Sequence, residues 1–124
     1  MKWFLTKYIY EIVSGSGNYG AQFDEQFRLI EAPDIHEALD KAEALAEKFH
    51  LPFENCRGEM VTWKFICIAD IHEIQVPQDG AEIASILHEP ADTRDFLEIV
   101  ARRRDFTLKL ITSQSFDQQT TFHP

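Results

Sequence analysis

The stretch that decides the fold is KWFLTKYIYEIV, residues 2–13. It is rich in aromatic and β-branched residues, which predicts a strand. Its odd-numbered side is mixed but carries four apolar residues, Trp3, Leu5, Ile9 and Val13. The even-numbered side is the better candidate for the core and consists of Phe4, Thr6, Tyr8, Tyr10 and Ile12. A strand with apolar residues on both sides is typical of a sheet that is covered on both faces.

Working outward from this strand, the chain alternates further strand and helix signals. The remaining patterns predict, in chain order, a glycine-rich turn (14–20), a strand (21–31), a helix capped by Asp34 that ends near His50, a long strand (59–76), a turn (77–80), a strand (81–89), a helix capped by Asp92 (93–104) and a short strand at Phe106, Leu108 and Leu110. Ala69 and Asp70 interrupt the alternation of the long strand, which predicts a β-bulge.

These elements predict an α+β fold in the order β-β-α-β-β-α, with an extra C-terminal strand as an option. Hairpins imply antiparallel pairing, so we expect a twisted antiparallel sheet of four to five strands with two helices packed on one face. A length of 124 residues is typical of one domain. We therefore assign residues 1–112 to a single domain and the polar residues 113–124 to a frayed C-terminal tail.

Composition and charge narrow the possible functions. The chain is 44% hydrophobic and 12% aromatic, which is enough to form a packed core, and its net charge is −9. A surface that binds phosphates needs clustered Lys and Arg. The basic run Arg102-Arg103-Arg104 falls at the end of a predicted helix, where it complements the helix dipole. The acidic balance therefore argues against nucleic-acid and anionic-membrane binding, and it leaves open a basic protein partner.

The cysteines and the N-terminal sequence indicate the compartment. Cys56 and Cys67 match no zinc or disulfide spacing, and Cys67 is predicted to be a small buried hydrophobe within the long strand. Lys7 interrupts the apolar start, so no signal peptide is predicted. No stretch of the sequence approaches the roughly 18 apolar residues that a membrane span needs. We expect a cytoplasmic location in a reducing compartment.

Several spaced motifs carry a resemblance to a known family. These are Ala21-Gln22-Phe23-Asp24-Glu25-Gln26, Arg28-Leu29-Ile30 with Ala32, the helix segment Glu37-Ala38-Leu39, Gly58-Glu59, Trp63-Lys64-Phe65, Asp70 and Glu73. Together they resemble the uncharacterised bacterial family catalogued as domain of unknown function 4288, over about residues 1–104. The resemblance implies a bacterial, cytoplasmic, stand-alone domain, and it implies no activity.

Glu25 is the most unusual side chain of the second strand. It shares its side of the strand with Phe23, Phe27 and Leu29, so it faces the core if they do. A buried carboxylate needs a hydrogen-bond donor or an ion-pair partner, and Tyr hydroxyls and an indole N–H are within reach in one hairpin register. The resulting candidate pocket consists of Glu25, Tyr8, Tyr10 and Trp63. Alternatively, Glu25 lies at a sheet edge or is satisfied by a Lys or a backbone N–H.

The helix-free side of the sheet is the second candidate site. The first strand and the long strand both direct apolar residues to it, and exposed apolar patches mark interfaces. The candidate interface consists of Trp3, Leu5, Ile9, Val13, Ile66 and Ile68. Its cover is the second helix or C-terminal strand of the same chain, a second copy in a homodimer, or a different protein.

Specific chemistry has little support in the sequence. The glycine-rich turn joins two strands and opens no helix, so it lacks the context of a phosphate-binding loop. Neither serine nor cysteine has a nucleophile context. The acidic and histidine residues near the second half of the sheet match no metal-site spacing; they are Asp70, His72, Glu73, His88 and Glu89. We assign no catalytic residue, no metal and no cofactor.

Three hypotheses for function follow. The leading one is a small non-enzymatic binding or protein-interaction module that self-associates through a sheet face. The second is a small ligand-binding protein or enzyme with a pocket around Glu25. The third is an acidic accessory or immunity-type protein that binds a basic partner.

Overall fold

The computed structural model of the protein describes residues 1–16 and 20–120, the last six of these by their backbone alone. The chain divides into two compact units, residues 1–85 and residues 86–124. It contains a four-stranded antiparallel sheet and two helices, which confirms the predicted α+β class.

The first unit begins with a long antiparallel hairpin. Strand β1 spans Lys2–Ser14 and strand β2 spans Gln22–Ala32. Their register places Tyr8 opposite Gln26. The chain leaves β1 through Gly15, whose φ of 58° favours glycine. The predicted turn at 14–20 includes residues 17–19, which lie outside the described residues.

Helix α1 spans Ile35–Leu45 and continues into a 3-10 turn, Ala46–Lys48. Asp34 caps it as predicted, because its Oδ1 accepts a hydrogen bond from the Glu37 backbone N–H at 2.8 Å. This bond satisfies one of the N–H groups that the first turn of a helix leaves unpaired.

The side of α1 that faces the sheet is a row of small residues. Ala38, Ala42 and Ala46 are all buried. Small side chains allow the helix backbone to approach the sheet closely, so that two tyrosine hydroxyls of β1 reach backbone carbonyl oxygens of the helix. The Tyr8 hydroxyl donates to the Ala42 carbonyl oxygen at 2.7 Å, and the Tyr10 hydroxyl donates to the Ala46 carbonyl oxygen.

Strand β4, Met60–Ile74, pairs with the other edge of β1, and a two-residue strand β3, Phe53–Glu54, pairs with β4. The sheet order is β2-β1-β4-β3. The decisive first strand is therefore central, and β2 is an edge strand.

Two β-bulges shift the register of β4 against β1. The pairing skips Ala69 at one shift and Ile66 at the other, and the first shift confirms the predicted bulge. As a result, the β4 residues packed against the core follow Trp63 by two positions and then each other at intervals of three: Phe65, Ile68 and Ile71. Trp63 and Phe65 lie on the side that faces α1, whereas the Ile66 bulge turns Cys67 to the other side, so the predicted burial of Cys67 is wrong.

The core lies between α1 and the even-numbered side of β1, as predicted. Its buried members are Phe4, Tyr8, Tyr10, Ile30, Ala32, Ala38, Ala42 and Ala46. Aromatic rings fill the centre, where Tyr8 meets the Phe49 ring edge-on at a centroid distance of 5.4 Å.

Residues 75–92 contain neither helix nor strand, so the prediction of a strand over 81–89 is wrong. The predicted turn before it is present, with the Ala81 N–H bonded to the Gln78 carbonyl at 3.0 Å and Gly80 at φ 83°. Ile83 and Leu87 would share one side of a strand, but Ile86 next to Leu87 breaks the alternation of apolar and polar residues.

The second unit contains helix α2, Thr93–Thr120. Asp92 begins this helix, because its side chain accepts from the Asp95 backbone N–H at 3.1 Å. The predicted helix start is confirmed. The helix does not end at 104, and the extra C-terminal strand at 106–110 is wrong, since α2 continues through it. Residues 93–120 contain no glycine or proline to end the helix.

The predicted boundary at residue 112 has no counterpart in the backbone, which is helical to Thr120. Residues 121–124 of the predicted tail lie outside the described residues. The assignment of one domain and a frayed tail stays a prediction.

Candidate functional site

Helix α1 packs on one side of the sheet, and we call the opposite side of the first unit the open face. The register assigns residues to it without ambiguity, because side chains alternate along each strand. Leu5 of β1 lies between Leu29 of β2 and His72 of β4, and Ile9 lies between Glu25 and Cys67.

Strand β2 has its apolar residues on the open face. Phe23, Phe27 and Leu29 are 61%, 60% and 46% exposed. The side of β2 that faces α1 is polar and consists of Gln22, Asp24, Gln26 and Arg28, before Ile30. In this edge strand the apolar residues therefore point away from the core and the polar residues point toward it, which is the opposite of the usual arrangement.

Most of the predicted interface residues share the open face. Trp3, Ile9 and Val13 are half-buried on it, and Leu5 is buried among its neighbours. Ile66, the bulge residue, is exposed.

Ile68 does not belong to the open face. The Ile66 bulge turns it toward α1, where it packs against the core opposite Tyr8.

The predicted pocket is not formed. Glu25 is exposed and lies on the open face opposite Ile9, whereas the Tyr8 and Tyr10 rings are buried on the α1 side. The error is a shift of one residue in strand register, which exchanges the two faces of β2. The expectation that Phe23, Phe27 and Leu29 face the core fails for the same reason.

The carboxylate near the aromatic residues is Asp24 instead. Its Oδ2 accepts hydrogen bonds from the Trp63 indole Nε1–H at 3.2 Å and from Gln26 Nε2 at 2.7 Å. The predicted partnership of a carboxylate with Trp63 is thus present with a neighbouring acid. A hairpin register that puts the even-numbered residues of both strands on one side would have identified it.

His50 completes a polar and aromatic cluster on the α1 side, and sequence reasoning identified His50 only as the end of the predicted helix. Its ring stacks on Trp63 with centroids 4.8 Å apart and meets Tyr10 edge-on at 5.0 Å. Its Nε2 lies 2.9 Å from Gln26 Oε1. Arg28 donates to the same Gln26 oxygen at 3.0 Å and stacks over the Phe49 ring at 3.7 Å.

Burial controls the proton affinities of this cluster. Desolvation lowers the pKa of His50, and the Arg28 charge lowers it further, while Asp24 opposes both. Desolvation also raises the pKa of Tyr8 to about 12, with Tyr10 adding to the shift. Neutral His50 and neutral tyrosines therefore suit a cluster that supports the fold.

Other candidate chemistry is sparse in the described part of the chain. His72 Nδ1 lies 3.8 Å from Asp70 Oδ2, but among the described residues no group of three His, Cys, Asp or Glu side chains is placed to hold a metal ion. No helix of the described residues has the length and apolar content to span a membrane.

The first unit is an α+β domain: its four-stranded antiparallel sheet has helix α1 on one side and apolar residues on the other. Residues 3–85 match the family described as a domain of unknown function, DUF4288, and the chain belongs to that family. The match ends where the first compact unit ends, so the resemblance extends less far than the expected residue 104 and excludes α2. No curated protein and no solved structure matched the chain.

Proposed function

We propose that this protein is a small non-enzymatic protein-interaction module that self-associates through the open face of its sheet. The observation that carries the proposal is the reversed orientation of β2. An edge strand that directs three large apolar side chains away from its own helix gains stability when a second surface covers them.

Four of the charged residues on the open face lie opposite a residue of opposite charge in the sheet. Lys7 lies opposite Asp70 in the sheet register, and its ammonium group lies 5.3 Å from the centre of the Phe27 ring. Glu11 lies opposite Lys64. Because these charges have neighbours of opposite sign, covering them costs less than covering isolated charges.

A second copy is the occupant that we propose. In a twofold contact the same apolar patch serves both partners, so no other surface is required. Phe23, Phe27 and Leu29 are 46–61% exposed and, with the partly exposed residues of β1, are the apolar side chains that each copy would contribute to this contact.

We also propose a cytoplasmic location in a bacterial cell. Cys56 and Cys67 are both exposed free thiols, which a reducing compartment preserves. The exposure of Cys67 corrects its predicted burial.

Substitution of Phe27 tests the proposed function. Phe27→Ser is expected to weaken self-association at least about tenfold, measured by sedimentation equilibrium of the full chain, because it removes a large apolar contact from each copy. Leu51→Ser is the matched control, since Leu51 is 82% exposed and lies outside the open face. A wild-type chain that stays monomeric at about 1 mM, near the weak limit of specific binding, would overturn the proposal, as would an equal effect of both variants.

A further inference from the structure

The side chain of Gln26 lies at the centre of the polar cluster on the α1 side of the sheet. Its amide nitrogen donates to Asp24 Oδ2 at 2.7 Å, and its amide oxygen accepts from Arg28 Nη2 at 3.0 Å. A carboxylate only accepts hydrogen bonds, and a guanidinium only donates them. The two charged neighbours therefore fix which end of the Gln26 amide carries the N–H groups.

His50 lies beside both ends of this amide. Its Nε2 is 2.7 Å from Gln26 Nε2 and 2.9 Å from Gln26 Oε1. Neutral His50 with its proton on Nδ1 accepts the second N–H of Gln26 through Nε2. Protonated His50 carries a hydrogen on Nε2 as well, so it repels that N–H and donates to Oε1 instead.

Arg28 already occupies the oxygen that protonated His50 needs. Its Nε and Nη2 lie 3.3 Å and 3.0 Å from Gln26 Oε1, and its guanidinium stacks over the Phe49 ring at 3.7 Å. Two cations that share one acceptor oxygen repel each other, and a half-buried pair is screened less than a pair in bulk water. Neutral His50 creates no such conflict.

Protonated His50 keeps its position, because other neighbours favour a cation there. Its ring stacks on the Trp63 indole with centroids 4.8 Å apart, and the face of an indole attracts a cation. The Asp24 charge also favours the protonated form. The groups that hold Arg28, the Gln26 oxygen and the Phe49 ring, are both neutral, so Arg28 is the cation that is easier to displace.

We propose that His50, Gln26 and Arg28 form a proton switch that releases Arg28 from the Phe49 ring when His50 is protonated. In the neutral state Gln26 donates to His50, and Arg28 joins β2 to the end of the helical segment by stacking on Phe49. In the protonated state His50 donates to Gln26 Oε1, and the guanidinium leaves both this oxygen and the ring. The switch lies within the first unit and does not rest on the proposed function of the open face.

The remaining groups around His50 set the pH at which the switch operates. Tyr10 of β1 meets the ring edge-on and stays neutral, because burial raises the pKa of its hydroxyl and Glu47 of the 3-10 turn adds to the shift. Burial is the largest effect that lowers the pKa of His50, and Arg28 lowers it further, while Asp24 opposes both. Arg28 is therefore bound above, and released below, a midpoint that lies under the ordinary value of 6.5.

Nuclear magnetic resonance of the full chain tests this switch. The nuclear Overhauser contacts between Arg28 side-chain protons and the Phe49 ring are expected to disappear with the same midpoint as the titration of the His50 ring protons. In His50→Gln these contacts should persist at low pH, because no proton is taken up beside Gln26.

Removal of the Arg28 charge tests the same coupling from the other side. Arg28→Gln is expected to raise the midpoint of the His50 titration by about 0.5–1 pH unit, because the competing cation is gone. Lys64→Gln removes an exposed positive charge on the open face and is the control, with a shift below about 0.2 unit.

Two results would overturn the switch. One is a set of Arg28 and Phe49 contacts that persists in the wild type while His50 titrates. The other is an Arg28→Gln midpoint that shifts no more than that of Lys64→Gln. If Arg28→Gln does not fold, the contacts in the wild type and in His50→Gln decide the question alone.

Discussion

At the scale of single residues, two buried or half-buried polar groups on the α1 side of the sheet differ in whether they have a hydrogen-bond partner. His50 is half-buried but has aromatic neighbours and the side chain of Gln26 within hydrogen-bonding distance. Thr6 is fully buried, and its hydroxyl has no hydrogen-bond partner among the described residues. The first group couples stability to pH, and the second reduces stability at every pH.

The lowered pKa of His50 predicts a pH-dependent stability. The unfolded chain binds the proton near the ordinary value of 6.5, whereas the folded chain binds it only at lower pH. The stabilising contribution of neutral His50 is therefore complete above 6.5 and is lost as pH falls through the folded pKa. His50→Gln is expected to lose less unfolding free energy than the wild type between about pH 7.5 and pH 5 in urea titrations. His36→Gln, which replaces an exposed histidine of α1, is the control and should keep the wild-type slope.

The unpaired hydroxyl of Thr6 predicts a stabilising substitution. Thr6→Val keeps the shape of the side chain and removes a polar group that burial has separated from water, so we expect about 1 kcal/mol of added stability in urea unfolding. Thr62→Val on the open face is the matched control and should change stability by less than about 0.5 kcal/mol. A destabilised Thr6→Val protein would show that the hydroxyl is satisfied in solution.

At the scale of elements, the alanine row of α1 sets the distance between helix and sheet. Ala42 and Ala46 allow the approach that brings two tyrosine hydroxyls to helix carbonyls. A larger side chain in this row would separate the layers and break those bonds.

Ala42→Leu tests this spacing. We expect a loss of roughly 1–3 kcal/mol of unfolding free energy, because the added atoms have no room between α1 and Tyr8. Ala44→Leu makes the same change on the exposed side of the same helix and should stay within about 0.5 kcal/mol of the wild type. Equal losses in the two variants would contradict the role of the alanine row.

The elements also show where pattern alone predicts the fold and where it does not. The even-numbered core side of β1, the cap at Asp34 and the bulge at Ala69 follow from local chemistry, and the structure confirms them. The orientation of β2 does not follow, because its polar residues face α1 and apolarity is a misleading guide to direction there. The contacts of His50 with β2 and β4 could not be predicted from the sequence either, because they join residues that are distant in sequence.

For α2, the five residues 106–110 alternate as in a strand because of Phe106, Leu108 and Leu110, but the longer segment around them is helical. The longer stretch without glycine or proline was the better guide. The candidate pocket failed by one residue of register. Of the candidate interface residues, Ile68 lies on the α1 side instead of the open face, and the role of the others as an interface stays a prediction.

At the scale of the whole molecule, the open face of the first unit is the surface that we propose for self-association. The family match covers the unit with the open face and stops before the helix. A single twofold contact uses the same surface on both copies, so the proposed assembly is a dimer.

This predicts a mass that depends on concentration. The wild-type chain at high concentration is expected to approach the mass of a dimer in light scattering, while Phe27→Ser shifts the mass toward the monomer. A wild-type mass that exceeds the dimer would contradict a single twofold contact.

The two bulges of β4 also bear on how the chain tolerates change in length. The pairing with β1 already skips Ile66 and Ala69, so a deletion at either position would remove one bulge and leave Ile71 on its original side of the sheet. Relatives compared with this chain should therefore be aligned by counting residues from these two insertions, since a comparison by alternating hydrophobicity would exchange inside and outside between Ile66 and Ala69.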